Sequence, residues 1–270
     1  MRARTFETHP AVAYLAAADT KNDQAAALGY SDLQSVGVQA STHPTGGEIR
    51  SRAGLSTEIP GVKSIERPLK DWRGIAKWSE DKVLSTILLL ATAPLMLFIA
   101  ILIKVDSRGP ALFIQDRFGL NNSVIRVFKF RTMHAEMSDA TGKRRTVRND
   151  PRVTRVGRVL RWLSFDELPQ LLNVLRGDMS LVGPRAHALQ MMAGERLYWE
   201  AMPAYQHRHR VKPGITGWAQ INGLRGEVDT LEKGRARLAH DLYYIDNWSL
   251  WLDLKILMRT VTLLTSEGAY

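Results

Sequence analysis

Asp166 and Glu167 are adjacent carboxylates set between arginines: Arg155, Arg158 and Arg161 on one side, Arg176 and Arg185 on the other. An ionised carboxylate among guanidinium groups suits attack on a phosphoryl group. Arginine holds anionic oxygens through forked hydrogen bonds, and an aspartate can serve as the nucleophile. An Asp-Glu pair taken alone more often caps a helix than performs catalysis. The arginine row and the Gly183-Pro184-Arg185 turn, so close in the chain, turn the reading towards chemistry.

The local pattern sets how these groups are presented. Ser164-x-x-Glu167 matches a capping box ahead of Leu168, Leu171, Leu172 and Leu175. It predicts both carboxylates in or near a first helical turn, where free N–H groups and the helix dipole favour negative charge. Pro169 fits near such a start. Upstream, Val156, Val159, Leu160 and Leu163 share one predicted helical face, with Arg155, Arg158 and Arg161 off it. Arg176-Gly177-Asp178 reads as a helix stop.

The chain has 270 residues, a net charge of +10 and no cysteine. The charge implies an anionic partner: nucleic acid, anionic lipid or a phosphorylated substrate. The lack of cysteine excludes disulfides, thiolate catalysis and cysteine metal sites, and fits a reducing cytosolic face. Residues 83–103 are uncharged and long enough to span a bilayer as a helix. Pro94 in the middle is expected to bend or break it. Basic residues flank both ends, Lys77 and Lys82 before, Lys104 and Arg108 after. The positive-inside rule wants one basic side. A re-entrant helix broken at Pro94 resolves the conflict by keeping both ends in the cytoplasm; a simple spanning helix is the alternative.

Elsewhere, residues 1–70 are rich in small and turn-forming types and are expected to be a flexible N-terminal tail. Met1-Arg2-Ala3-Arg4 is followed by no apolar segment of the kind a signal peptide needs. Residues 111–115 and 124–130 read as strands around an Asn-rich turn, and Val127 to Met133 alternates apolar and basic types. Residues 134–148 read as a loop or short helix, and 188–201, 231–247 and 250–264 as helices. The last of these carries Trp251, with Trp248 just before it, as candidate anchors in a membrane interface. His207-Arg208-His209-Arg210 has two histidines but no evident third metal ligand, so it reads as a basic surface or phosphate-facing segment. The glycines of Lys212-Pro213-Gly214-Ile215-Thr216-Gly217 would let backbone approach a ligand. Aromatics do not interleave with the basic residues, which argues against nucleic acid.

From about Lys77 to Tyr270 the chain resembles the bacterial sugar transferases, the monotopic phosphoglycosyl transferases. The resemblance rests on Lys129-Phe130-Arg131-Thr132-Met133, Asp166-Glu167-Leu168-Pro169-Gln170, Gly177-Asp178-Met179-Ser180, Val182-Gly183-Pro184-Arg185 and Lys212 to Gly217. It implies a small, membrane-associated catalytic domain of α/β type, mostly helical with a short β-hairpin, one re-entrant membrane helix and interfacial amphipathic helices. The corresponding boundaries are a tail over 1–70, the membrane helix over 71–105 and a cytosol-facing catalytic domain over 106–270, at the bacterial inner membrane.

The resemblance also implies transfer of a hexose-1-phosphate from a UDP-sugar to undecaprenyl phosphate. Asp166 would be the nucleophile, forming a covalent phosphosugar intermediate, and Glu167 would assist it. Mg²⁺ is expected near Asp166 and Glu167 because phosphoryl transfer needs its negative charge neutralised. Arg158 and Arg185 are the expected phosphate-binding residues, with Lys129 and Arg131 beside them. Trp218 to Gly223 and Tyr243 to Lys255 look most like members that prime exopolysaccharide synthesis with glucose-1-phosphate, with galactose-1-phosphate as the alternative sugar. A homodimer or polysaccharide-assembly partners fit the family, and a catalytically idle membrane scaffold is the rival from another class. Ala186 departs from the family's usual proline after Val-Gly-Pro-Arg. Residues 1–70 stand where many members carry a larger membrane and accessory region.

Overall fold

The computed structural model describes residues 71–266, apart from 143, 145, 148, 194, 195 and 227, and all of them fall within one compact unit. The tail expected over 1–70 lies outside the described residues. The first element is the helix α1, Asp71–Asp106, 36 residues long with Pro94 inside it. The expected break at Pro94 is thus corrected: the chain stays helical through it. Proline removes a single N–H. The flanking Leu-rich, Ala-containing run favours helix.

Helix α1 is fastened near both ends and bare in between. Near its start Asp81 accepts from Ser180 Oγ and from the Leu181 backbone N–H, both at 2.9 Å. Lys82 donates to the carbonyls of Val174 and Leu175. Near its end Ile99 and Ile103 pack with Phe130 and Leu160. Asp106 accepts from the Val156 N–H at 3.3 Å. The most apolar 18-residue window of the helix is only 11 % buried.

Strands β1 (Leu112–Phe118) and β2 (Val124–Phe130) form an antiparallel hairpin with Leu112 opposite Phe130 and Phe118 opposite Val124. Asn121 and Asn122 turn the chain with φ of 52° and 59°, a left-handed conformation that asparagine tolerates better than most side chains. The alternation of apolar and basic types after Val127 is not matched by alternating exposure. Val127, Phe128, Phe130, Arg131 and Thr132 are all buried, because β2 runs beneath α3 (Gln170–Arg176). Asn173 of α3 fixes that crossing: its Oδ1 accepts from the Phe128 N–H at 3.0 Å and its Nδ2 donates to the Arg126 carbonyl at 2.7 Å.

Between hairpin and α3 lies α2, Arg155–Leu163, capped by Thr154, whose hydroxyl accepts from the Gly157 N–H at 2.9 Å. Gly157 lies so close to strand β2's continuation that a Cβ there would stand 2.1 Å from the Thr132 carbonyl oxygen. Ser164 ends α2 in the left-handed region, with φ 58°.

Strands β3 (Ser180–Val182) and β6 (Gly214–Thr216) pair in parallel. Gly183 donates to the Thr216 carbonyl and Gly214 to the Pro184 carbonyl, each at 2.9 Å. The backbone approached by the glycines of Lys212 to Gly217 is therefore the chain's own Gly-Pro-Arg turn, which corrects the ligand reading. A Cβ on Gly214 would sit 2.1 Å from the Gly183 nitrogen.

The helix expected over 188–201 is instead a small hairpin, β4 (Met192–Ala193) with β5 (Arg196–Leu197), followed by the short α4 (Tyr198–Ala201). Gly194 interrupts the helical pattern. A 3₁₀ segment, Pro203–Arg210, then leads past β6 to α5 (Trp218–Ile221), α6 (Leu231–Asp246) and α7 (Leu250–Ser266). Trp248 is corrected from interface anchor to core residue, 5 % exposed and donating to Asp253 at 3.0 Å, whereas Trp251 is 73 % exposed.

Asp253 is 0 % exposed and also accepts from Tyr244 at 2.8 Å and from Lys77 at 2.7 Å, so it ties α7 to α1. Removing one partner of such a buried pair typically costs about 3–5 kcal/mol. We therefore expect Asp253→Ala to lower the thermal midpoint of the detergent-solubilised protein sharply. The double variant Lys77→Met/Asp253→Leu should recover most of the loss. Equal midpoints for Asp253→Ala and wild type would contradict this role.

Candidate active site

Asp166 and Glu167 occupy a 3₁₀ turn, Phe165–Glu167, between α2 and α3. The capping box is not formed, because Ser164 serves as the left-handed end of α2 and its hydroxyl accepts from Arg225 at 3.1 Å. The carboxylates do stand at the entry to α3, as the leucine spacing predicts.

Glu167 is gripped from two directions. Lys129 of β2 donates to its Oε1 at 2.9 Å. Arg185, from the Gly-Pro-Arg turn, donates Nη1 to Oε2 at 3.1 Å and Nη2 to Oε1. This forked pair orients the guanidinium as well as binding it. Burial works against the Glu167 charge, but Arg185 and Lys129 outweigh it and hold the carboxyl well below the usual range. Asp166 is different. Its side chain makes no hydrogen bond among the described residues, and its nearest cation, Lys129, is 4.0 Å away. Burial pushes its carboxyl up and the Glu167 charge adds to the shift, against the pull of Lys129, Arg161 and Arg185. One carboxylate is thus a fixed anion that holds two cations in place. The other keeps its oxygens free for a bond.

Arg185 is itself held from behind. Its carbonyl accepts from Arg208 Nη2 at 2.6 Å, and Arg208 pairs with the buried Asp241 of α6 at 2.9 Å. His209 bonds Asn122 in the β1–β2 turn and stacks on Phe118 at 5.3 Å. Within the basic run His207 to Arg210, Arg208 and His209 are therefore an internal bracket, which corrects the phosphate-facing reading for these two. Arg210 is spent on Asp246 at 2.8 Å.

The dyad faces a cavity of about 900 Å³, also lined by Gln115, Arg117, Lys129, Arg161, Arg185, Arg225 and the loop around Asp139 and Arg144. Of the expected site residues, Asp166, Glu167, Lys129 and Arg185 come together here. Arg131 reaches the cavity wall, but its guanidinium donates to the carbonyls of Arg108 at 2.7 Å and Ser107 at 2.8 Å, closing off the end of α1. These bonds give it a structural part at the cavity wall. Arg158 is not brought to the site. Val156 and Leu160 pack towards α1, which turns Arg158 outward to a separate cavity of about 320 Å³ beside Val159 and Trp162. Arg161 takes the inward place and donates to Thr132 Oγ1 at 2.8 Å. Sequence reasoning missed Arg117, Arg225, Asn173 and the Arg208–Asp241 pair. The alternation Gln115-x-Arg117 on a predicted strand was the one local signal for any of them.

No group of three or more His, Asp or Glu side chains able to hold a metal occurs among the described residues. Mg²⁺ does not require one, since it keeps several waters and takes one or two carboxylates together with substrate phosphates. Asp166, with no hydrogen bond of its own, fits that requirement, and Glu167, saturated by two cations, fits it poorly.

A family model for bacterial sugar transferases matches residues 72–267. The chain belongs to the bacterial sugar transferase family. It is 57 % identical over 195 residues to the undecaprenyl-phosphate glucose phosphotransferase of Komagataeibacter xylinus, covering 72 % of this chain and 37 % of that protein. It is 53 % identical over 180 residues to the exopolysaccharide production protein PSS of Rhizobium leguminosarum bv. phaseoli, covering 67 % of this chain and 90 % of that one. The UDP-glucose:undecaprenyl-phosphate glucose-1-phosphate transferase of Escherichia coli K12 is 47 % identical over 213 residues, 79 % of this chain and 45 % of its own length.

The two carboxylates carry opposite stability signs. Glu167 is depressed, so its contribution is present above the unfolded value, about 4.3, and is lost as pH falls through the folded one. Asp166 is raised, so its burial favours the fold only at acid pH, and that support is lost as pH rises through the raised value. At pH 7 we expect Glu167→Gln to cost about 2 kcal/mol, roughly 5 °C of midpoint, by stranding Lys129 and Arg185. Asp166→Asn should leave the midpoint unchanged or raise it. Thermal unfolding of both variants in one detergent checks the contrast, and a large loss in Asp166→Asn would contradict it.

Proposed function

We propose that this family member transfers glucose-1-phosphate from UDP-glucose to undecaprenyl phosphate, the priming step of exopolysaccharide assembly. The observation that carries the reading is the asymmetry of the dyad: a carboxylate free of hydrogen bonds beside one locked between Lys129 and Arg185. The names of the relatives above support the choice of glucose and of the lipid acceptor.

In the proposed chemistry an Asp166 carboxylate oxygen forms a bond to the β-phosphorus of the donor. The bond from that phosphorus to the bridging oxygen breaks, and UMP leaves with the oxygen and its electron pair. A phosphate oxygen of undecaprenyl phosphate then attacks the same phosphorus and Asp166 departs as carboxylate. The product is the lipid diphosphate sugar. Glu167 keeps Lys129 and Arg185 beside the pentavalent phosphorus, where charge builds. Mg²⁺, held by Asp166 and the donor phosphates, would neutralise phosphate charge. Its expected second ligand, Glu167, serves the cations instead.

The topology belongs to the same proposal. One compact unit hydrogen-bonds both Asp81 and Asp106 of α1, which favours keeping both ends on one membrane face; returning there would require α1 to bend in the lipid, at Pro94, where an N–H is missing. Its exposed middle carries Ile87, Leu88, Leu90, Leu97 and Phe98. Exposed apolar residues on α7, Trp251, Leu254, Met258 and Val261, and on α2, Val159 and Trp162, suit helices lying in the interface. The catalytic side then faces the cytoplasm of the inner membrane, where nucleotide sugars are.

The test is mass spectrometry of the full chain in detergent after brief exposure to UDP-glucose and Mg²⁺ without lipid acceptor, quenched in acid. A hexose-phosphate adduct on Asp166, absent from Asp166→Asn, is expected. Its rate of formation should fall at acid pH, starting above the ordinary carboxylate range, because Asp166 is raised by burial and by Glu167. An adduct with UDP-galactose alone would change the sugar. Transfer to lipid without any adduct would overturn the nucleophile, and no transfer from any donor would leave the scaffold reading.

A further inference from the structure

Several cations line the cavity around the dyad, and some are already taken: Arg161 donates to Thr132. Lys129 and Arg185 serve Glu167. Arg117 and Arg225 line the same cavity with no carboxylate within ion-pair distance among the described residues.

Arg117 is placed with care. Strand pairing sets Phe113, Gln115 and Arg117 on the face that carries Lys129, its cross-strand partner being Phe113. Arg117 donates Nε and Nη2 to the Gln115 side-chain oxygen at 3.1 and 2.7 Å, and Nη1 to the Ala186 carbonyl at 2.6 Å. Gln115 is buried, and its amide nitrogen donates to the Ala140 carbonyl at 3.3 Å, which leaves its oxygen facing the guanidinium. A guanidinium has five N–H donors. Three bonds to neutral oxygens leave one donor on each terminal nitrogen. Arg225 sits between two turn glycines, Gly223 (φ 81°) and Gly226 (φ 78°), and is fixed by Ser164, the residue that opens the dyad turn.

A cation held out of bulk water by neutral groups is costly unless an anion joins it. Here burial and the Arg185 charge work against the Arg117 guanidinium, and the more distant Glu167 and Asp166 offset them only in part. A structural salt bridge would have put Glu where Gln115 stands. A neutral oxygen instead orients the guanidinium and leaves its charge unspent. The ligand that completes this arrangement has two linked anionic groups, and a diester diphosphate carries one charge on each phosphorus.

We propose that Arg117 and Arg225 form the diphosphate subsite of the cavity, one guanidinium to each phosphoryl group, with Gln115 as the positioning residue that aims Arg117. This rests on the reading of the substrate as a nucleotide diphosphate sugar. It adds the residues that hold the donor while Lys129 and Arg185 stay with Glu167. The acceptor's phosphate offers similar chemistry, and the experiment separates the two.

The test is titration calorimetry of UDP into the full chain in detergent, for wild type, Arg117→Gln, Arg225→Gln and Gln115→Glu. Losing a hydrogen-bonded charge on phosphate should weaken UDP about 10- to 100-fold in each arginine variant. Gln115→Glu is the deciding variant. It keeps an oxygen against Arg117 and gives it a carboxylate, so a merely structural arginine would be better supported and UDP binding unchanged. The proposal expects weaker UDP binding with no loss of thermal midpoint. Unchanged UDP affinity in Arg117→Gln, or in Gln115→Glu, would overturn it. So would normal adduct formation from UDP-glucose with loss only of transfer to undecaprenyl phosphate, which would assign the arginines to the acceptor. Wild-type protein that binds no nucleotide diphosphate would instead remove the donor reading beneath it.

Discussion

The contact between Glu167 and its two cations is the constraint around which the described structure is arranged. Two neighbouring carboxylates in a largely buried turn would share a proton rather than both ionise. The turn's own three residues supply no cation, and Arg161 just before it bonds Thr132 rather than either carboxylate. Lys129 arrives from a strand 38 residues earlier and Arg185 from a turn 18 residues later. Much of the fold serves to deliver those two groups to one point. Because both settle on Glu167, the charge on Asp166 is supported at a distance while its oxygens stay free.

Each delivery is secured by buried polar bonds rather than by apolar packing alone. Asn173 clamps β2 onto α3 and so sets how far Lys129 reaches towards the turn beside it. Arg208 and Asp241 hold the carbonyl of Arg185, and the glycine crossing between Gly183 and Gly214 leaves the Gly-Pro-Arg turn no room to move sideways. Such bonds add modest net stability, but each is expensive to leave half-made. They specify one geometry over its near neighbours.

This also explains what the sequence could reveal. The dyad, the glycine stop at Gly177, the hairpin turn and the long apolar helix follow from local rules: residue type, spacing, and the conformations Gly and Asn permit. The destinations of the arginines do not. Arg131, Arg158, Arg185 and Arg208 are chemically the same group. Which one meets a carbonyl, water, a carboxylate or another segment's backbone is decided by tertiary pairing. Arg158 and Arg161 differ by less than one helical turn, and only the packing of Val156 and Leu160 against α1 sends one outward and the other in. Trp248 misleads for the same reason, because its indole N–H meets Asp253, which no local pattern announces. Nor does Lys212 to Gly217 announce that the partner of its glycines is the Gly-Pro-Arg turn.

The helix α1 then has a second use beyond its apolar surface. Its end is closed by Arg131, two residues along the strand from Lys129. Its start holds Ser180 and Leu181 through Asp81, a few residues before Arg185. The two cations on Glu167 thus sit on segments bonded to opposite ends of one helix. Each turn of a helix is bonded to the next, save where Pro94 lacks its N–H. The distance between those attachments is therefore set through the element whose middle carries a long exposed apolar surface. The helix with the long exposed apolar middle is in this way also the brace of the charged site. The polar groups near its two ends, Lys77, Asp81 and Lys82 at the start and Asp106 at the finish, are the fastenings through which the brace acts.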